Sequence, residues 1–233
     1  MIKNIFILVG GKGTRLGALT KKTPKPMLIF NKRAFLDYLI NSLLALKPKK
    51  IYLLCCYKSN IFFKNYHNRT IHKSKIICIK ENKPLGTGGS IYNIKKYIDN
   101  NSLVLNGDTY FDLDFNKLNY KINKKKYLKV FCIKNINYFS NKKLNNLAIN
   151  KGVLEFRNKS KLMNSGIYLL NKKSKKYIKF KSASFEDDIL PDLIDQKKIQ
   201  AEKINCFSID IGTIKNYRNF FNLSKKLKLN YFM

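Results

Sequence analysis

Residues 4–16 read Asn4-Ile5-Phe6-Ile7-Leu8-Val9-Gly10-Gly11-Lys12-Gly13-Thr14-Arg15-Leu16. Five successive apolar side chains without alternation predict a strand covered on both faces, as in parallel sheets flanked by helices. The run is shorter than the ~7–15 apolar residues of a signal-peptide core, so it reads as structure and not as a leader. Gly10, Gly11 and Gly13 let the backbone come close to an anion with its N–H groups turned inward, and Arg15 adds a guanidinium fork suited to phosphate. The spacing is neither Walker A nor G-x-G-x-x-G. A tight turn with no ligand would use the same glycines.

Working outward, strands and helices alternate. Phe35, Leu36, Leu39, Ile40, Leu43, Leu44 and Leu46 recur at helical spacing and predict a helix over 34–47. A strand follows at 51–56, a helix at 58–66, a strand at 75–80, a helix at 90–98 and a strand at 102–105. This order predicts a three-layer α/β/α, Rossmann-like fold with a mixed, mainly parallel central sheet. The second half is less regular. Strands are expected at 128–133, twice within 146–156 around the turn Lys151-Gly152, and at 162–170, 199–203 and 206–209. Helices are expected at 185–194 and 214–227. No repeat or Gly/Ser-rich linker divides the 233 residues, which read as one domain with a first half, 1–112, and a second, 113–233.

Composition narrows the function. Lys+Arg number 47 against 14 Asp+Glu, a formal net charge of +33. A nucleic-acid-binding module is one reading of such a charge. The lysines are spread along the chain beside Asn and Ile, however, and the longest unbroken run is only Lys124-Lys125-Lys126, so compositional drift on a solvated surface is the favoured cause. The remaining field would draw anionic substrates inward. No run approaches the ~18 apolar residues of a membrane helix. The five cysteines are odd in number and include no C-x-x-C, which argues against a disulfide framework or a zinc site and for the cytoplasm. His67 and His72, the only histidines, sit in a polar stretch and read as solvated loop residues.

Four further stretches carry chemistry. In Thr23-Pro24-Lys25-Pro26-Met27, two prolines restrain the backbone around Lys25. This suits either a fixed counter-charge or a plain rigid turn. Glu81-Asn82-Lys83-Pro84-Leu85-Gly86-Thr87-Gly88-Gly89 leads from a strand into a helix start, where free N–H groups favour anions. Asn106-Gly107-Asp108 ends a strand, at the sheet edge where open α/β folds bind ligands. Asp210 ends another, in Ser208-Ile209-Asp210-Ile211-Gly212-Thr213. Two aspartates beside phosphate-binding loops, without a Cys/His cluster, suit Mg²⁺. Either aspartate alone reads equally as a cap or turn residue.

Taken in order, G-G-x-G-T-R-L, P-K-P-M, E-x-x-P-L-G-T-G-G, N-G-D, N-S-G-I-Y and D-I-G-T resemble the sugar-phosphate nucleotidyltransferase family over essentially the whole chain. The P-L-G-T-G-G loop is most similar to the branch of heptose 1-phosphate and mannose 1-phosphate guanylyltransferases. The resemblance implies transfer of a nucleoside monophosphate from an NTP to a sugar 1-phosphate in the making of nucleotide sugars, as for cell-surface polysaccharide. It implies that 1–112 is a nucleotide-binding half and 113–233 a sugar-phosphate-binding half. Gly10, Gly11, Gly13, Thr14 and Arg15 would hold the triphosphate. Lys25 would bridge phosphates, and Glu81, Pro84, Gly86 and Thr87 would hold base and ribose. Asp108 and Asp210 would bind Mg²⁺, while Gly107, Lys159, Asn164, Gly166 and Glu186 would contact the sugar phosphate. Arg15, Lys25 and Asp108 would carry catalysis. Where the family has a Glu-Lys pair, this chain has Asn158-Lys159.

Guanine offers two adjacent donors that one carboxylate can accept together, so Glu81 at the base-reading position favours GTP. Heptose 1-phosphate is the first sugar expected and mannose 1-phosphate the second. The rival within enzymes is a uridylyltransferase acting on a hexose or amino-sugar 1-phosphate. Retention of Arg15, Lys25, Asp108 and Asp210 argues against a catalytically dead relative. The expected partners are therefore an NTP and a sugar 1-phosphate, with neither nucleic acid nor membrane.

Overall fold

The computed structural model describes residues 2–134 and 146–230. In chain order the strands are β1 (Asn4–Leu8), β2 (Ile29–Phe30), β3 (Arg33–Ala34), β4 (Lys50–Cys55), β5 (Thr70–Ile71), β6 (Ser74–Lys80), β7 (Ser102–Asn106), β8 (Thr109–Asp112), β9 (Leu128–Lys134), β10 (Leu147–Asn150), β11 (Val153–Phe156), β12 (Leu162–Leu170), β13 (Ile199–Lys203) and β14 (Phe207–Asp210). The helices are α1 (Ala18–Lys22), α2 (Phe35–Leu44), α3 (Ser59–Tyr66), α4 (Gly86–Asn93), α5 (Leu190–Asp195) and α6 (Ile214–Ser224). The mixed α/β architecture is the one expected. Contacts group the chain into two compact units: unit 1 is 1–84, 106–118 and 207–233, and unit 2 is 85–105 and 119–206. The chain thus passes between units four times, a division different from the successive halves that meet at residue 112.

Unit 1 holds the parallel run β1-β4-β6, with Ile5 opposite Ile51 and Ile51 opposite Ile76, and β5 added antiparallel. Ile5, Phe6, Ile7, Ile51 and Leu53 are fully buried, so these strands carry apolar residues on both faces. α2 buries Phe35, Leu36, Leu39, Ile40 and Leu43, and its Asp37 carboxylate accepts the Ala34 N–H at 3.1 Å and the Tyr66 hydroxyl at 2.7 Å. Two small antiparallel pairs complete the unit, β2–β3 and β8–β14. Their cores meet in an aromatic cluster in which Phe220 of α6 packs at 4.9 Å from Phe30 and 4.7 Å from Phe35.

Unit 2 is built on β12, antiparallel to both β7 and β9, with β13 parallel to β9 and a β10–β11 hairpin. The hairpin turns at Lys151 (φ 45°) and Gly152 (φ 77°), where sequence placed it. Several boundaries differ from expectation, and α2 ends at Leu44, not at 47. α4 starts at Gly86 and stops at Asn93, followed by a separate 3-10 turn at Lys95–Tyr97. The stretch 185–194 opens as a π-turn, Phe185–Ile189, before α5, whose early proline, Pro191, lacks an N–H. α6 ends at Ser224, not at 227. No helix among the described residues is long and apolar enough to cross a membrane. His67 is only half-exposed, and its Nδ1 accepts the Cys78 N–H at 3.1 Å, so it is a packing residue as much as a loop one.

Candidate active site

The turn after β1 leaves the sheet at Gly10, whose carbonyl accepts the Tyr57 N–H at 3.2 Å. Gly13 takes a left-handed conformation, φ 65°, that a side chain disfavours. Its carbonyl accepts the Leu16 N–H and the Thr20 hydroxyl, both at 3.0 Å. Thr14–Leu16 then form one 3-10 turn that buries Leu16 and leaves Gly11, Thr14 and Arg15 exposed. The loop is thus pinned at its base, with its tip in solvent.

Lys25 is not the exposed lysine of a plain turn. Pro24–Met27 wrap it into a 3-10 turn, its side chain is 9% exposed, and its Nζ lies 2.7 Å from Asp108 Oδ2 and 3.9 Å from Asp210 Oδ1. The two aspartates are neighbours because β8 and β14 pair, with Thr109 opposite Asp210, and because the Ile211 N–H donates to the Asp108 carbonyl at 3.0 Å. Arg15 Nη2 stands 3.9 Å from Asp210 Oδ2. Unit 1 therefore gathers Arg15, Lys25, Asp108 and Asp210, the charged residues singled out for the triphosphate and the metal. Gly107 brings this edge against β1: its N–H donates to the Leu8 carbonyl at 2.9 Å, and a Cβ there would lie 2.7 Å from the same oxygen.

Burial, then the Asp108 charge, raises the Asp210 carboxyl above its ordinary value, while Lys25, Arg15 and the Gly212 N–H pull it back. Asp210 Oδ1 is buried without a hydrogen-bond partner. A buried carboxylate oxygen that lacks a hydrogen bond, beside a second carboxylate, is what a hard cation would satisfy. Among the described residues no group of three or more His, Cys, Asp or Glu gathers around a point. A cation here would take two carboxylates and draw its other ligands from water and phosphate, a set that suits Mg²⁺. Gly212 belongs to this site although its role was not foreseen. A Cβ on it would sit 2.9 Å from both Asp210 oxygens and 3.0 Å from Arg15 Nη2. The motif D-I-G-T was the available signal.

Unit 2 joins three of the other expected residues in one chain of hydrogen bonds. Asn164 Nδ2 donates to Tyr168 Oη at 2.6 Å, Tyr168 Oη donates to Glu186 Oε1 at 2.9 Å, and the Thr87 hydroxyl donates to Glu186 Oε2. A bulge in β12 between Asn164 and Ile167, with Gly166 at φ 80°, makes this possible. Asn164 Oδ1 closes the bulge by accepting the Gly166 N–H at 3.0 Å. Tyr168, fully buried, is the link that sequence reading missed; it was visible only as the last letter of N-S-G-I-Y. Burial first and the Glu186 charge second hold its phenol far above the ordinary value.

The glycines of the P-L-G-T-G-G loop have a structural use as well. Gly88 and Gly89 donate to the Ala183 carbonyl at 2.8 and 3.2 Å, so these two N–H groups are not available to an anion. Glu81 is buried at the end of β6 and donates its N–H to the Cys55 carbonyl at 2.8 Å, while Pro84 and Gly86 are exposed. Lys159 is exposed in the β11–β12 turn at φ 53°, and joins neither cluster.

A family model described as nucleotidyl transferase matches residues 4–226. The D-glycero-alpha-D-manno-heptose 1-phosphate guanylyltransferase of Campylobacter jejuni subsp. jejuni is 34% identical over 219 residues, covering 92% of this chain and 97% of that protein. The crystal structure of HddC from Yersinia pseudotuberculosis is similar with a TM-score of 0.77 at 30% identity, covering 96% of this chain and 100% of that one. The same protein complexed with GMP-PN is similar with a TM-score of 0.74 at 29% identity, over 96% and 100% of the two chains.

Proposed function

The chain belongs to the nucleotidyl transferase family, and from that premise we propose that it transfers a guanylyl group from GTP to a heptose 1-phosphate, releasing pyrophosphate. The observation that carries the transfer chemistry is the buried Lys25 with the half-buried Asp108 and Asp210, beside the glycine loop and Arg15. The choice of guanine and heptose is supported by the relatives' names and by the buried Glu81, whose carboxylate can accept the paired N1–H and N2–H of guanine.

A phosphate oxygen of the sugar 1-phosphate attacks the α-phosphorus. The new P–O bond forms as the α–β bridging P–O bond breaks, and pyrophosphate leaves on the opposite side. The nucleophile is an anion at neutral pH, so no general base is required. What the reaction needs is alignment and relief of repulsion between two anions. Arg15 supplies an exposed guanidinium for the triphosphate. Lys25 supplies a fixed ammonium, held by proline on either side, that need not reorganise as charge shifts toward the leaving group. Asp108 and Asp210 would hold Mg²⁺, which would supply charge neutralisation at the phosphates. Asn164 and Glu186 would accept and orient sugar hydroxyls, and Glu186 keeps lone pairs for this beyond its two internal bonds.

Pyrophosphate release tests the reading, with Mg²⁺ and each of GTP, UTP, TTP, CTP and ATP against heptose, mannose and glucose 1-phosphates. Release confined to GTP, fastest with heptose 1-phosphate, is expected. Release with UTP alone would overturn the guanine assignment, and release with no pair would overturn the transferase reading for these sugars.

A further inference from the structure

Within unit 2, five hydrogen bonds tie the loop that opens α4 to the segment that precedes α5. Gly88 and Gly89 donate to the Ala183 carbonyl, and the Ala183 N–H donates to the Leu85 carbonyl at 2.9 Å. The Phe185 N–H donates to Thr87 Oγ1 at 2.8 Å, and the Thr87 hydroxyl donates to Glu186 Oε2. Contact is too close for side chains: a Cβ on Gly86 would collide with the Ala183 carbonyl, and one on Gly89 would lie 2.7 Å from the Lys181 carbonyl. Thr87 is the side chain through which this clasp reaches a carboxylate. Its hydroxyl gives its only proton to Glu186 and accepts the N–H of Phe185. Glu186 is held at its other oxygen by the buried Tyr168.

We propose that Thr87 is a positioning residue that couples the two substrates: sugar 1-phosphate on Glu186 raises the affinity of the Gly86 loop for nucleotide, and nucleotide raises that for sugar phosphate. The inference rests on the reading above, in which that loop carries the nucleotide and Glu186 the sugar. A sugar hydroxyl bonded to Glu186 adds a third bond to a carboxylate that Thr87 and Tyr168 already hold, and sets its exact position. Through the Thr87 hydroxyl the same event sets the position of the turn at Gly86, so the second ligand meets a turn already placed for it. Reciprocity follows from linkage. Tyr168 holds Glu186 without touching the loop, so it affects sugar binding but does not carry the coupling.

The test is calorimetric titration with the α,β-methylene analogue of GTP, whose P–C bond prevents pyrophosphate release, with and without heptose 1-phosphate. The readout is the ratio of the two Kd values, which is independent of any effect of a variant on the binary nucleotide complex. In the native chain the ratio should be about 5-fold or more, the lower range of allosteric coupling. It should fall to about 1 in Thr87→Val, which keeps the shape but loses the hydroxyl, and return in Thr87→Ser. Tyr168→Phe should weaken heptose 1-phosphate binding and keep the ratio. Thermal melts report folding, and Thr87→Ala replaces Thr87→Val if the latter does not fold. An undiminished ratio in the variant lacking the hydroxyl, with both ligands bound, overturns the coupling and leaves the functional reading standing. Failure of the native chain to bind the analogue overturns the functional reading and the coupling with it.

Discussion

Burying a lysine costs several kcal/mol unless an anion stays beside it, and Lys25 keeps Asp108 at 2.7 Å. The pair therefore serves folding as well as charge placement. Asp108→Asn should lower turnover by about 10³-fold, and it should also destabilise the fold by about 1–3 kcal/mol. That is less than the ~3–5 kcal/mol of a fully buried pair, because Asp108 is 33% exposed. Adding Lys25→Met to Asp108→Asn should restore most of the stability and none of the turnover, as read by denaturant melts and pyrophosphate release on both variants. Asp210 behaves in the opposite sense. Its carboxyl is raised above the ordinary value of 3.8, so the native state keeps the proton to higher pH than the unfolded chain does. The native state then binds more protons, and stability declines as pH rises from that value through the folded one and stays lower above it. In metal-free protein at pH 7, Asp210→Asn should raise Tm by about 2–4 °C, the shift that ~1 kcal/mol gives a chain of this size. The gain should vanish below pH 4, and activity should be lost at every pH. A Tm that falls at pH 7 would contradict the burial argument.

Elements set where these residues stand. The pairing of β8 with β14 brings Asp108 and Asp210 to one edge, and the turn after β14 closes on them through Gly212. Gly212→Ala would push a methyl into the Asp210 carboxylate and the Arg15 guanidinium without touching the apolar core. We expect a fall in kcat of about 10- to 100-fold and a raised Mg²⁺ requirement with an unchanged melting profile, as a displacement of about 1 Å near the chemistry produces. A large loss of Tm in this variant would instead make Gly212 a folding residue. Proline-bracketed Lys25 shows the same economy: a three-residue turn restrains the backbone and buries the side chain together.

At the scale of the whole molecule the dominant quantity is the net charge of +33. Such a charge opposes compaction through self-repulsion, and salt relieves it once the Debye length falls to ~10 Å at 0.1 M. Tm should therefore rise by several degrees between 20 and 200 mM NaCl, measured without ligand. A fall over that range would mean that attractive ion pairs outweigh repulsion. With 47 Lys+Arg against 14 Asp+Glu, most cations have no carboxylate to pair with. The pairs that do form include Lys129 with Glu202 at 2.9 Å, whose lysine side chain is fully buried. The remaining lysines are largely solvated and uncompensated, which is the condition for repulsion to win.

By itself the sequence determined the local elements and the chemistry they could carry. The apolar run before Gly10, the helical spacing of Phe35 to Leu46 and the Lys151-Gly152 turn are local patterns, and local patterns report which side of an element is buried. The glycine loop, Lys25, Asp108 and Asp210 were legible for the same reason, each sitting at an element's end within a short motif. Tertiary structure alone decided which distant groups meet. Lys25 and Asp108 are 83 positions apart, and Thr87 and Glu186 are 99. The Ala183 carbonyl that occupies two N–H groups of α4 lies in a stretch with no motif. Tyr168 stood only as the last letter of N-S-G-I-Y, and the bulged strand β12 places its hydroxyl between Asn164 and Glu186. Periodicity cannot reveal such partners, because a hydrogen bond across the fold depends on the register and direction of elements that are remote in the chain.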